Sequence, residues 1–231
     1  YNALCDHTSK AVLYGILMNW ISFSPIFLDD IVEKGTSLYE HYFDYDIIKL
    51  SQDEVFVDMG AYIGDTAEIF MRETNFNYKK IYCYEFSERN VDELRKISSW
   101  DDRIVIRPYA VGDKIGKIYI NMNDDSSSDR ITDQSGASSA KEIKMVSLDE
   151  DIEEKITFIK SDIEGAEMMA LKGAANHIKN EHPKLAISVY HGNYDIYKIA
   201  EYISSLDNTY RFYLRYYGIN LYPSEIVLYA V

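Results

Sequence analysis

The chain has 231 residues, 47% hydrophobic and 27% charged, which suits one α/β domain, alone or with a helical extension, and excludes wholesale disorder. With 38 acidic against 24 basic side chains the net charge is −14, a field that repels phosphate backbones and anionic lipid, so neither nucleic acid nor a membrane is an expected partner. Two cysteines, Cys5 and Cys83, imply neither a disulfide framework nor a zinc site.

The N-terminal apolar stretch, Ala11 to Met18, is too short to span a bilayer and lacks the basic segment that precedes it in a signal peptide, so a cytoplasmic location is expected. The first residue is Tyr1 rather than Met, as in a chain cut from a longer polypeptide with a fused or partner domain. Val12, Leu13, Ile16, Leu17 and Trp20 recur at helical spacing behind Thr8 and Ser9, which offer a cap. Residues 1–50 therefore read as a helical extension, or cap, on a domain at 51–231.

From Ser51 the pattern becomes short β-rich runs separated by helical ones. The runs are Val55–Val57, Ile81–Tyr84, Ile104–Ile106, Ile156–Ile159, Leu185–Val189, Arg211–Leu214 and Ile226–Tyr229. Helical spacing falls between them, at Val91 and Leu94 and at Ile196, Ile199, Ala200 and Ile203. Alternation of this kind predicts a mostly parallel seven-stranded sheet with helices on both faces, a Rossmann-like α/β fold. The last two runs are too close for a crossover helix, so they are expected as an antiparallel hairpin. An extra strand is expected at Lys117–Ile120, followed by a serine- and aspartate-rich stretch, 121–140, that reads as a lid loop. The 21 tyrosines fit half-buried strand positions with wet hydroxyls better than a stacking platform.

The first run continues as Asp58-Met59-Gly60-Ala61-Tyr62-Ile63-Gly64-Asp65-Thr66, a glycine turn between a buried strand and a helix. Dinucleotide sites use G-x-G-x-x-G to bring a pyrophosphate onto the helix N-terminus. The spacing Asp-x-Gly-x-x-x-Gly, with an acidic residue ahead of the first glycine, suits a ligand carrying an ammonium and a carboxylate. The methionine end of S-adenosylmethionine carries both. Glu85 closes the second strand, 21 residues after Gly64, where a carboxylate can accept from ribose hydroxyls.

After the fourth core strand comes Lys160-Ser161-Asp162-Ile163-Glu164-Gly165-Ala166-Glu167, at the strand edge where open α/β sheets bind ligands. Ser161 and Glu164 could form a capping box for the helix that follows. The pattern resembles the FkbM-type methyltransferases in Val57–Ala61, Lys160–Glu167 and Tyr190-His191. It extends through His41-Tyr42-Phe43, Gly136–Ser139, Val146–Asp149 and the ending Leu214-Arg215 to Glu225–Tyr229, nearly the whole chain. Tyr216-Tyr217 depart from the pattern, standing where histidine is expected.

The resemblance implies a class I methyltransferase that uses S-adenosylmethionine, commonly to O-methylate sugars, glycans or secondary metabolites. The expected cofactor contacts are Asp58, Gly60, Ala61, Tyr62, Gly64, Asp65, Thr66, Glu85, Phe86, Ala110, Val111, Asp162 and Glu164. A small-molecule or saccharide acceptor would meet Tyr42, Phe43, Ser138, Ser139, Glu164, His191 and Arg215. A hydroxyl acceptor must lose a proton, and Asp162 or His191 is the expected base. Asp162, Glu164 and His191 could instead gather a divalent cation such as Mg²⁺ or Mn²⁺. A nitrogen acceptor and a catalytically silent cofactor-binding module are the alternatives. A nicotinamide oxidoreductase would need the missing G-x-G-x-x-G.

Overall fold

The structure is a computed structural model and describes residues 1–33, 40–121, 130–132, 140–218 and 223–231. Its helices are α1 His7–Ser22, α2 Ile26–Glu33, α3 Asp65–Glu73, α4 Glu88–Ser98, α5 Leu148–Asp151, α6 Glu167–Lys172, α7 Ala175–Glu181 and α8 Asp195–Leu206. The strands are β1 Val55–Met59, β2 Lys80–Tyr84, β3 Ile104–Arg107, β4 Ala110–Val111, β5 Gly116–Asn121, β6 Arg130–Thr132, β7 Ala140–Val146, β8 Phe158–Ser161, β9 Lys184–Ser188, β10 Phe212–Tyr216 and β11 Ile226–Ala230. A seven-stranded sheet has the order β10-β11-β9-β8-β1-β2-β3. β1 runs parallel to β2 and β8, β2 is parallel to β3, and β10 and β11 make the expected antiparallel hairpin. The fold is the Rossmann-like α/β class that the alternation predicts.

The chain divides into two compact units, Leu50–Pro183 and Tyr1–Lys49 with Lys184–Val231. In the first, every residue of β1 is buried, as a strand covered on both faces requires. Phe56 stacks on Phe70 at 4.5 Å between ring centroids and meets Phe158 at 5.0 Å. Each such pair adds about 0.5–1.5 kcal/mol beyond its buried area. α3 buries Thr66, Ala67, Phe70 and Met71, one stripe at helical spacing, and α4 buries Asn90, Val91 and Leu94.

This unit also holds a second sheet, of order β4-β7-β5-β6, of which the sequence pattern predicts β5 alone. β5 pairs antiparallel with β7 and with β6, so 121–140 is not one continuous loop. Residues 122–129 and 133–139 lie outside the described residues, and Ser138 and Ser139 with them. Ala110, Ile143 and Met145 pack with Phe86, Ile118 and Met169 under this sheet.

At the start of β2, Glu154 accepts from Lys80 Nζ at 2.5 Å and Tyr82 Oη at 2.8 Å, with Lys79 Nζ at 3.0 Å. Burial alone would raise the Glu154 carboxyl, but Lys80, Tyr82 and Lys79 together hold it down, at about 2. A depressed carboxylate contributes stability that is complete above its ordinary value and is lost as pH falls through the folded one. Glu154→Gln is therefore expected to flatten the fall in urea midpoint between about pH 4.5 and pH 2. An unchanged acid limb would remove Glu154 from the acid response.

In the other unit, α1 is capped by Asp6, whose Oδ1 accepts from the Ser9 amide at 2.7 Å, rather than by Thr8 or Ser9. Ser9 is spent elsewhere: its Oγ accepts from the Leu214 amide of β10 at 2.9 Å. The helix buries Ser9, Val12, Gly15, Ile16 and Asn19 and ends on Phe23 in the left-handed region. Tyr42 and Phe43 are buried, and β11 continues the antiparallel run by pairing with β9. Among the described residues no helix is long and apolar enough to cross a membrane.

Candidate active site

The parallel register sets the first feature of the site. Asp58 on β1 has Cys83 of β2 and Lys160 of β8 as its lateral neighbours. Lys160 Nζ lies 2.9 Å from Asp58 Oδ1 and donates to the Gly60 carbonyl at 2.8 Å. Both side chains are buried. Burial pushes the Asp58 carboxyl up to about 6, with Lys160 opposing the rise. Burial would lower Lys160, but the charges of Asp58 and Asp162 hold its ammonium above the ordinary value.

Beyond Asp58 the chain turns through Gly60, at φ +80°, and Gly64, at φ +94°. The Gly60 and Ala61 amides both donate to the Tyr84 carbonyl, at 3.1 and 3.0 Å, which ties the turn to the end of β2. A side chain at Gly60 would strike the Asp162 carbonyl, so here the bare backbone serves the approach of two turns to each other. Gly64 caps α3 by its backbone, with Asp65 in the first turn and Thr66 buried behind it.

Glu85 is buried at the end of β2. Its Oε2 accepts from the Tyr62 amide at 3.1 Å and its Oε1 from the Ser87 amide at 2.7 Å. Burial raises its carboxyl, and these amides with Asn90 counter part of the rise. Gly60, Glu85, Phe86, Ala110 and Val111, all expected cofactor contacts, line one cleft. Tyr84, Tyr109, Ile118, Ile163 and Ala166 complete it and were not anticipated. Tyr84 ends an expected strand, Ile118 lies in another, and Ile163 and Ala166 fall within the Lys160–Glu167 motif; Tyr109 carried no signal. The cleft has about 40 Å³ of water-accessible space, room for about one water rather than for a larger ligand.

After β8 the Asp162 amide donates to the Met59 carbonyl at 3.0 Å, and the side chain is half-buried. Glu164, at φ +55°, and Gly165, at φ +98°, form a left-handed turn, which removes Glu164 from the capping position expected for it. Glu167 instead braces the turn: its Oε1 accepts from the Ile163 amide at 2.9 Å and the Gly165 amide at 3.4 Å, while the N-cap of α6, Ala166, has no side-chain hydrogen bond.

The remaining candidates belong to the other unit. His191 follows β9, half-buried, its ring 4.2 Å from that of Tyr190. Tyr42 bonds Ser188 Oγ at 3.2 Å and stacks on His41 at 3.9 Å, a buried structural position. Arg215, expected to face the acceptor, is instead buried in ion pairs with Asp44 at 2.6 Å and Asp6 at 2.8 Å. It donates further to Ser9 Oγ at 3.1 Å.

A glycine turn after β1 and a buried acidic residue closing β2 thus lie on a mostly parallel sheet of the Rossmann-like class. The model of the FkbM methyltransferase domain matches residues 58–215, and the chain belongs to that family. Methyltransferase FkbM from Methylobacillus flagellatus KT is similar over 100% of this chain at 25% identity and a TM-score of 0.81. The chain spans 56% of that protein's length. An rRNA methylase from Streptococcus thermophilus shares the fold at 13% identity and a TM-score of 0.50, over 78% of this chain and 87% of its own. No curated protein matches the sequence.

Proposed function

We propose that the protein is an S-adenosylmethionine-dependent methyltransferase acting on a hydroxyl of a sugar, glycan or secondary metabolite. The observation that carries the cofactor is the cleft floored by Gly60 and walled by Glu85, with the buried Asp58 carboxylate behind its turn. The donor set fits: Glu85 for ribose hydroxyls, apolar Phe86, Ala110, Val111 and Ile118 for an adenine, and an anionic Asp58 for the methionine ammonium. Bound S-adenosylmethionine supplies the electrophilic methyl group. The chain's own task is to hold the acceptor in line and take its proton, and positioning alone can supply about 7–11 kcal/mol.

Asp162 or His191 takes the proton. Replacement of the working base by Asn or Gln is expected to lower kcat on the order of 10²-fold with the cofactor Kd little changed. Unchanged turnover in both variants would remove both from the mechanism. The acceptor is a small molecule or saccharide, since a net charge of −14 disfavours nucleic acid and anionic membrane, and the working location is the cytoplasm. The O-methylation itself rests on family kinship.

A thermal shift with S-adenosylmethionine or S-adenosylhomocysteine tests the cofactor. Saturation at 100 times Kd is expected to add about 2.7 kcal/mol of stability. Absence of a shift with either ligand overturns the proposal, and a shift without methyl transfer to any hydroxylated acceptor marks a silent binding module. Turnover that stops on chelation and returns with Mg²⁺ or Mn²⁺ would make the reaction dependent on a divalent cation.

A further inference from the structure

Lys160 is a buried cation that takes no part in the proposed proton transfer. A lysine ammonium stripped of water is costly unless its partners repay it, and a pair of apolar residues would fill the same space at less cost. What Lys160 touches is specific. Its Nζ sits 2.9 Å from Asp58 Oδ1 and donates to the Gly60 carbonyl at 2.8 Å, so one group grips both the acidic residue and the first glycine of the turn. Both Asp58 oxygens are buried with no hydrogen-bond partner among the described residues, and Oδ1 has the Lys160 ion pair while Oδ2 has no cation recorded beside it. A carboxylate held on one side by a fixed cation and lacking a donor on the other is arranged to receive a second cationic donor.

We propose that Lys160 is a positioning residue for the amino-acid end of the cofactor, clamping the Asp58 carboxylate and the Gly60 carbonyl so that Asp58 presents its second oxygen to the ligand ammonium. The register supports this: Lys160 is the cross-strand neighbour of Asp58, so its stem runs beside that side chain on the same face of the sheet. The clamp also explains why the Gly60 carbonyl, at the tip of β1, points back toward β8. Lys160 touches no reacting atom in this scheme. It acts through Asp58 and the turn, and the inference rests on the S-adenosylmethionine reading of the cleft.

The test uses the full chain and two probes: S-adenosylhomocysteine, which has the amino-acid end, and 5′-methylthioadenosine, which lacks it. Lys160→Met alone leaves Asp58 buried without its cation and is expected to lower the urea midpoint. The double variant Asp58→Asn/Lys160→Met removes both charges and is expected to regain most of that loss. In the double variant S-adenosylhomocysteine should bind about tenfold more weakly or worse, the loss expected for a charge-assisted hydrogen bond. 5′-Methylthioadenosine should bind as it does to the wild type, and the KM for S-adenosylmethionine should rise with kcat nearly unchanged. Equal binding of S-adenosylhomocysteine by wild type and double variant, or equal loss for both probes, would reduce the pair to a structural role and overturn the proposal. Wild-type protein that binds neither probe overturns the cofactor reading and this inference with it.

Discussion

Gly60→Ala is expected to remove the thermal shift with S-adenosylhomocysteine and to cost about 3–5 kcal/mol of stability by urea unfolding. Two costs combine. A φ of +80° carries a penalty of about 1–3 kcal/mol for any residue with a Cβ. The added Cβ would also stand well under 3.0 Å from the Asp162 carbonyl oxygen, and that carbonyl cannot retreat freely. The Asp162 amide is bonded to the Met59 carbonyl at 3.0 Å, and the Gly60 amide to the Tyr84 carbonyl at 3.1 Å, so both turns are pinned. Relief requires prying β1 from β8 at the mouth of the cleft.

Gly64→Ala is the control. It has a similar φ of +94°, but an added Cβ meets only the ends of Ile97 and Leu94, side chains that can rotate. Its cost should stay near the backbone penalty, about 1–3 kcal/mol, with ligand binding retained. Equal losses for the two variants would show that backbone strain alone, and not the approach of the two turns, makes glycine necessary at position 60.

Much of the sheet was legible because its central strands are continuous apolar runs, Val55–Val57 above all, and because the last two runs stand too close for a helix. The second sheet was not. Its pairing partners are short or weakly patterned: Ala110–Val111 has two residues, and Lys141-Glu142-Ile143-Lys144-Met145 alternates for little more than one period. The glycine turn and Glu85 were visible by spacing, and the structure brings Gly60, Glu85, Phe86, Ala110 and Val111 to one cleft. The grip of Lys160 on Asp58 was not visible. It depends on strand register, which joins residues far apart in the chain and has no local signature. Glu167 escaped notice for a different reason: a left-handed turn at Glu164 and Gly165 shifts the helix start, and one sequence does not display φ.

Arg215 was expected to meet the acceptor, and its guanidinium is held in ion pairs with Asp44 and Asp6. Arg215→Met is expected to destabilise the protein by about 3–5 kcal/mol, because it leaves Asp44 buried without its cation. Burial alone would lower the Arg215 guanidinium, but Asp6 and Asp44 hold it above its ordinary value, so it is charged at every pH at which the protein folds. Asp6 also caps α1, and Ser9 Oγ takes both the Arg215 guanidinium and the Leu214 amide, so the same group joins α1 to β10. Burial would raise Asp6, yet Arg215 and Ser9 bring it below its ordinary value. That share of stability is present above about pH 3.8 and is lost as pH falls below it. The double variant Arg215→Met/Asp44→Asn should recover a large part of the loss, since the buried charge is gone. Hydrogen exchange at the Leu214 amide should accelerate in the single variant and slow again in the double. A urea midpoint unchanged in Arg215→Met, together with a raised KM for the methyl acceptor, would return Arg215 to the acceptor pocket.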